Sequence, residues 1–260
     1  MNNNITIREA TPSDSELIAT VVCMAVGYDT THPIYPVFEE LARRDVSQYS
    51  WRNTLIAEVD GVTAGALVGY DGALLTTLRE PIYPLLERHL GSTLNIEDET
   101  EVGEFYLDSV GVLPEYRGRG VASRLFEAQC ERASALGHKV AGLIVDVDKP
   151  KAEALYARLG FVYLDDKDFF SHRMKHMVRQ LNMTGQYYRH FKGNIYRVLH
   201  IAKHSETLEE MVVYQAMYGE RGVWVRPKSM FEEVIERDGK VFRRFSPISA
   251  EEAEKIINNL

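Results

Sequence analysis

Along the first two thirds of the chain the apolar residues keep two different periods. Short alternating or continuous apolar runs predict strands in "NITIREA", "TLIAEV", "VTAGALVGY", "GEFYLDSVGV", "KVAGLIVDV", "FVYL" and "DFFSHRMKHMV". Stretches with apolar positions three and four apart predict helices in "TPSDSELIATVVCMAV", "PVFEELARRDVSQY", "LLTTLREPIYPLLERHLG", "ASRLFEAQCERASALG" and "KAEALYARLG". Turn chemistry separates them. Thr11 and Pro12 read as an N-cap and first helical position. Asp60-Gly61 is a strong hairpin signal, and Gly137 closes the helix in which Leu125, Ala128, Cys130 and Ala133 share a face. Pro81 and Pro84 interrupt the third helical stretch, and "NIEDETE" reads as an acidic loop. The resulting order, β-α-α-β-β-(α)-β-α-β-α-β-β, predicts a mixed α/β domain with one βαβ crossover in its middle.

Near residue 184 the texture changes. Short aromatic and β-branched runs alternate with turn signals at Lys192-Gly193-Asn194, Glu220-Arg221-Gly222 and Asp238-Gly239. "MVVYQAMYG" and "GVWVRP" read as strands, and "KSMFEEVI" as a short strand or a helical turn. Three segments are therefore expected: an α/β domain over 1–180, a small mainly-β domain over 185–248 with an SH3-like barrel as the expected shape, and a helical tail over 249–260. Tyr187, Tyr188, Phe191, Tyr196, Tyr214, Tyr218 and Trp224 are the candidate core of the second domain.

Composition narrows the function classes. The 260 residues carry a formal net charge of −8. Residues 185–260 hold 12 basic against 11 acidic side chains, which leaves 18 against 27 for residues 1–184. That balance argues against a nucleic-acid partner, since phosphate backbones demand clustered Lys and Arg. No apolar run approaches the roughly 18 residues of a membrane span, and no signal-peptide pattern opens the sequence. Cys23 and Cys130 lie far apart without metal spacing, which fits packed thiols in a reducing cytoplasm. His172 and His176, like His200 and His204, are four apart, but on expected strands or loops and without a metalloprotease Glu. They read as surface or hydrogen-bonded histidines, and no metal is expected.

The chemistry concentrates in "VGVLPEYRGRGVASRLFEA", where a strand ends, glycines turn the chain and a helix begins. The unpaired N–H groups and dipole of a helix start bind anions. Gly118 and Gly120 let a ligand approach the backbone, and Arg117 and Arg119 add phosphate donors. The G-x-x-x-x-G-K-[ST] motif is absent, and the third glycine of G-x-G-x-x-G is replaced by Ser123. Arg117-x-x-Gly120-x-Ala122 instead resembles the acetyl-CoA loop of the GNAT superfamily of N-acetyltransferases. "VGVLP" resembles the family's strand beside the pantetheine arm. "KAEALYARLGF" resembles its A-x-x-L-Y-x-x-L-G-F signature through Ala152, Leu155, Tyr156, Leu159, Gly160 and Phe161, and "ITIREATPSDSELI" resembles its opening.

The resemblance implies a GNAT fold, a strongly twisted mixed sheet flanked by helices, with acetyl-CoA as acyl donor. It implies that Arg117, Gly118, Arg119, Gly120, Val121, Ala122 and Ser123 hold the pyrophosphate. Val110, Gly111 and Val112 would flank the pantetheine through the main chain. Glu104, thirteen residues before Arg117, stands where histone-type members carry their base. Asp108 and water alone remain alternatives. Tyr156 is implied as the acid, because a phenol is well matched to a leaving thiolate. Lys149 departs from the asparagine many members carry, and Asp148 is the expected cap of the helix that follows. Residues 185–247 resemble a short bacterial domain of uncharacterised function. The expected activity is direct acetyl transfer to a primary amine on a small molecule or peptide. The alternative is a CoA-binding fold without turnover whose β domain recognises a partner. Homodimerisation is left open.

Overall fold

The sheet grows from a hairpin that the sequence dictates. Thr54–Val59 (β2) and Val62–Asp71 (β3) pair antiparallel, and Asp60 and Gly61 between them take φ of 52° and 82°. Two left-handed residues are what a two-residue turn matched to strand twist requires. The structure, a computed structural model, describes residues 4–91, 95–170, 172–181, 183–237, 240–248 and 250–257.

Ile5–Glu9 (β1) lies beside β2, and Phe105–Val112 (β4) beside β3. Val140–Asp146 (β5), Val162–Phe169 (β6) and His172–Gln180 (β7) complete a seven-stranded sheet in the order β1-β2-β3-β4-β5-β7-β6. The β4–β5 ladder is parallel, and the crossover between those strands is the helix Val121–Ala135 (α5). Ser15–Ala25 (α1), Tyr35–Arg43 (α2) and Ile82–Leu90 (α4) pack with Ile56, Ala66, Val68 and Tyr106 on one face. On the other face α5 packs with Leu55, Ala57, Leu67, Phe105, Leu107 and Phe161. Both faces of the central strands are covered, which is why β2 and β3 read as continuous apolar runs.

Several boundaries differ from the sequence expectation. α2 stops at Arg43, short of the Tyr49 end expected, because hydroxyls compete with the helix ladder. Ser47 Oγ donates to Leu41 O at 2.7 Å and Ser50 Oγ to Arg44 O at 2.6 Å. The proline-marked stretch divides into Leu75–Arg79 (α3) and α4, with Pro84 in the first turn of α4, where its missing N–H costs nothing. β6 continues through Phe169, so the Asp168 and Phe169 assigned to the last strand belong to the one before it, and Phe170 lies in the turn between them with φ of 49°. The helix Pro150–Arg158 (α6) has Lys149 at its N-cap position and no side-chain cap, so Asp148 does not cap it. Cys23 and Cys130 are buried free thiols.

The chain divides after Leu181 into two compact units. The second is mainly β. Tyr187–His190 (β8), Ile195–Lys203 (β9), Glu210–Ala216 (β10), Val223–Pro227 (β11) and Phe245–Ile248 (β14) form an antiparallel sheet in the order β11-β10-β9-β8-β14. Val234–Arg237 (β12) and Lys240–Arg243 (β13) pair separately. Of "KSMFEEVI", left open as a strand or a helical turn, Lys228–Phe231 form a helical turn (α7) and Val234 already begins β12; Ala250–Ile257 (α8) lies within the expected tail. The Asp238-Gly239 turn and the ends of that tail lie outside the described residues. Of the expected core residues, Tyr188 and Tyr214 are in the core and Tyr196 packs against it; Phe231 and Phe245, outside that expected set, join them with their rings stacked at 4.0 Å. Trp224 does not: it is 58% exposed on β11, the edge strand. Among the described residues no helix is long and apolar enough to cross a membrane.

One close backbone approach fixes how β3 meets β4. A Cβ placed on Gly65 would collide with the carbonyl oxygen of Gly111. Gly65→Ala is expected to lower unfolding stability by about 1–3 kcal/mol, the usual cost of overpacking, read from urea denaturation midpoints.

Candidate functional site

The parallel ladder between β4 and β5 consists of two residue pairs, Phe105 with Ala141 and Tyr106 with Gly142. Beyond them the strands part, while β5 stays paired with β7 along its whole length. β4 therefore has an unpaired side from Leu107 onward. Leu113 N–H donates to Ala64 O at 2.8 Å, toward β3. Successive residues of a strand turn their polar groups to opposite sides. The main-chain groups of Val112 and Val110 therefore face the gap, and those of Gly111 face β3. The Val112 carbonyl accepts from Arg117 Nε at 3.0 Å.

A bulge sets the side chains of this strand. Leu67 pairs with Val110 and Gly69 with Leu107, so β4 holds one extra residue at Asp108–Ser109. Before the bulge Tyr106 belongs to the α1 face and Phe105 and Leu107 to the α5 face. After it Val110 and Val112 pack on the α5 face. A Cβ on Gly111 would meet Val21 of α1.

The loop that follows ends at an uncapped helix. Gly118 and Gly120 take φ of 75° and 85°, and Gly120 is the N-cap of α5 with no side chain capping it. The helix ladder begins only at Arg124 N–H to Gly120 O, 3.2 Å, so the amides of Val121, Ala122 and Ser123 have no partner within the helix. Nothing lies within 4 Å of where a Cβ would stand on Gly118 or Gly120. Arg117 and Arg119 are exposed, and the Arg119 guanidinium lies 5.5 Å from the centre of the Tyr116 ring. An uncapped, amide-lined helix start of this kind can bind an anion.

Glu104 sits immediately before β4 and is 4% exposed. Thr100 Oγ1 donates to its Oε1 at 2.6 Å, and its Oε2 lies 2.9 Å from His176 Nε2. The carboxylate lies over Gly142, where a Cβ would occupy its space. Tyr156, on α6, is half-buried, its ring edge-on to Phe126 at 5.2 Å. Burial pushes its phenol up to about 12, so it keeps its proton at neutral pH.

A model of the Acetyltransferase (GNAT) family matches residues 26–161, just over half of the chain. The chain belongs to the GNAT acetyltransferase family. A crystal structure described as an acetyltransferase is 30% identical over 68% of this chain and 100% of its own, with a TM-score of 0.59. An N-acetyltransferase from Staphylococcus aureus Mu50 is 23% identical over 66% of this chain and 99% of its own, also at 0.59, and shares the fold. Residues 186–247 match a domain described as a protein of unknown function (DUF1653). No curated protein matches significantly.

Behind the GNAT strand gap lies a polar cluster that sequence reasoning missed. Gln48 Nε2 donates to Glu99 Oε1 at 2.7 Å and to Asp108 Oδ2 at 2.8 Å, and Tyr70 Oη donates to Asp108 Oδ2 at 2.7 Å. Arg79, itself buried, pairs with Glu99 and with Asp98. Burial and then the Asp108 charge push Glu99 up to about 7, against the pull of Arg79. Asp108, the alternative base, is thus already engaged by Gln48, Tyr70 and Ser109. Asp71, the last residue of β3, accepts from Ala73 N–H at 3.0 Å. His172 is exposed, as expected of a surface histidine, whereas His176 is 1% exposed. Among the described residues no group of three His, Cys, Asp or Glu side chains is placed to hold a metal ion.

His176 also ties this site to stability. Burial alone would lower its affinity for a proton, but Glu104 and Asp165 outweigh that and raise it above the ordinary histidine value. A raised histidine stabilises the fold fully below the unfolded value of about 6.5 and loses that contribution as pH rises through the folded value. His176→Leu should therefore destabilise by about 3–5 kcal/mol at pH 5.5, and by less at pH 9, in paired urea melts.

Proposed function

We propose that this domain transfers an acetyl group from acetyl-CoA directly to a primary amine of a small molecule or peptide. The observation that carries the reading is the parting of β4 from β5 just past Tyr106 and Gly142, followed in sequence by the uncapped start of α5. Amides of Gly118 to Ser123, with Arg117 and Arg119 beside them, would hold the pyrophosphate, and the gap-facing main chain of Val110 and Val112 the pantetheine, with Gly111 between them. Acetyl-CoA supplies the activated thioester. Glu104, at the closed end of the gap, is the proposed base for the acceptor ammonium. Each carboxylate oxygen has two lone pairs, so its bonds to Thr100 and His176 leave it able to accept a proton. Tyr156 Oη is the proposed donor to the leaving sulfur, and its raised affinity for the proton keeps that donor loaded. Direct transfer is supported by the thiols: burial pushes Cys130 up to about 11 and raises Cys23, so neither offers a thiolate nucleophile near neutrality.

A second reading, a CoA-binding fold without turnover, draws on the enclosure of Glu104 by Thr100 and His176. In either case the break after Leu181 supports treating residues 185–248 as a module of its own, with the tail following it.

Calorimetry is expected to show CoA binding to the folded protein. A panel of primary amines, followed by release of free thiol, is expected to show turnover. Binding without turnover on any amine would favour the second reading, and absence of binding would overturn both. Tyr156→Phe and Glu104→Gln are each expected to lower kcat by about 10²-fold with the KM for acetyl-CoA little changed, as for loss of an acid or base. Unchanged kcat in both would overturn the assignment of these two residues.

A further inference from the structure

Three side chains form one hydrogen-bonded line that crosses β5 of the first sheet. Glu104 precedes β4, and its carboxylate passes over Gly142 of β5 to reach His176 on β7. The other ring nitrogen, His176 Nδ1, lies 3.0 Å from Asp165 Oδ1 on β6, the strand paired beside it. Glu104 and His176 are buried, while the Asp165 side chain is 54% exposed. The glycine at 142 is what lets the line pass, because any side chain there would occupy the carboxylate's place.

With both carboxylates ionised, hydrogen-bond accounting favours a charged ring. Both nitrogens face carboxylate oxygens, and a carboxylate only accepts. A neutral imidazole has a single N–H and would turn a lone pair toward one of them. The imidazolium donates to both. The charged groups facing the ring are Glu104, Asp165, Lys167 on β6 and Glu101, whose Oε1 accepts from Lys167 Nζ at 2.8 Å. The Lys167–Glu101 pair largely offsets itself, which leaves two carboxylates around one cation.

We infer that His176 is the positioning residue of the base: itself held by Asp165, it fixes Glu104 Oε2 over Gly142 so that the carboxylate is presented in one orientation to the acceptor. This rests on the reading of Glu104 as base. A charge-assisted hydrogen bond of 2.9 Å from the ring holds the buried side chain in one place. Asp165 acts one step further out, by keeping the ring charged from the solvent side.

Two measurements on the full chain test this. In a ¹⁵N titration of the histidine rings, His176 is expected to carry protons on both nitrogens at pH 7, with a midpoint above about 6.5 that falls in Asp165→Asn. In the pH dependence of kcat at saturating acetyl-CoA, with the best acceptor of the amine panel, His176→Gln is expected to move the acidic limb up by about one pH unit. The KM for acetyl-CoA should stay within about twofold, as for a group that does not touch the donor. Asp165→Asn, at an exposed position that spares the fold, should move the limb the same way by less. A limb that stays in place in both variants, with kcat scaled equally at every pH, marks a structural role and overturns the proposal. A singly protonated ring in an active enzyme overturns the His176 assignment alone. A doubly protonated ring in a protein that turns over no amine overturns the proposed reaction and with it His176's part in that reaction.

Discussion

The brevity of the β4–β5 ladder is the constraint on which the rest of this molecule depends. Two residue pairs hold the strands together at one end, and everything after them diverges. Had the pairing continued, the main chain of Val110 and Val112 would be spent on the sheet. The chain would also leave β4 with no opening beside it. Instead β5 draws its partners from β7, β4 draws its partners from β3, and the sheet stays continuous while offering an unpaired strand edge in its middle. An interior edge of this kind is rare because it exposes backbone donors and acceptors, and it persists where a ligand can satisfy them.

The closed end of the gap also holds a cluster of buried polar and charged side chains. Glu104, His176, Glu99, Arg79, Asp108 and Gln48 lie around β4 and its neighbours, with Tyr70 and Tyr106 between them. Glu99 is balanced by Arg79 and Glu104 by His176, while Asp108 is held by the neutral donors of Gln48, Tyr70 and Ser109. Burying ion pairs contributes little net stability compared with apolar packing, so such a concentration is costly unless the charges are used. The two apolar cores flank this layer and supply the rigidity that holds it in place.

What the sequence made legible follows physical locality. Anion binding by the 117–123 loop depends on neighbouring residues alone, so glycine spacing and a helix start were enough to find it. Glu104 was reachable through its spacing to that loop, and Tyr156 through the pattern of the helix that carries it. His176 was not. It looks like any histidine in the polar run "HRMKHMVRQ", and its buried partner is Glu104, 72 residues earlier in the chain. Glu99 stands among surface acids in "NIEDETE" yet turns inward to Arg79, and Gln48 fell in a stretch expected to be helical. Side-chain pairings between distant segments leave no periodic trace. In the second unit, Tyr188 and Tyr214 alternate into the core as strand residues should, whereas an edge strand leaves Trp224 outside.

Gly142 gives the site a history as well as a shape. The space above its α-carbon is filled by the carboxylate of Glu104, so the two positions share one volume. Neither can change freely while the other stays. A side chain at 142 is tolerable only once residue 104 has shortened, and a chain that lost Glu104 would be released from the need for glycine. The pair is therefore epistatic. In a diverging set of such domains, whatever stands at position 142 should report on whether a long acid at 104 has been retained or abandoned.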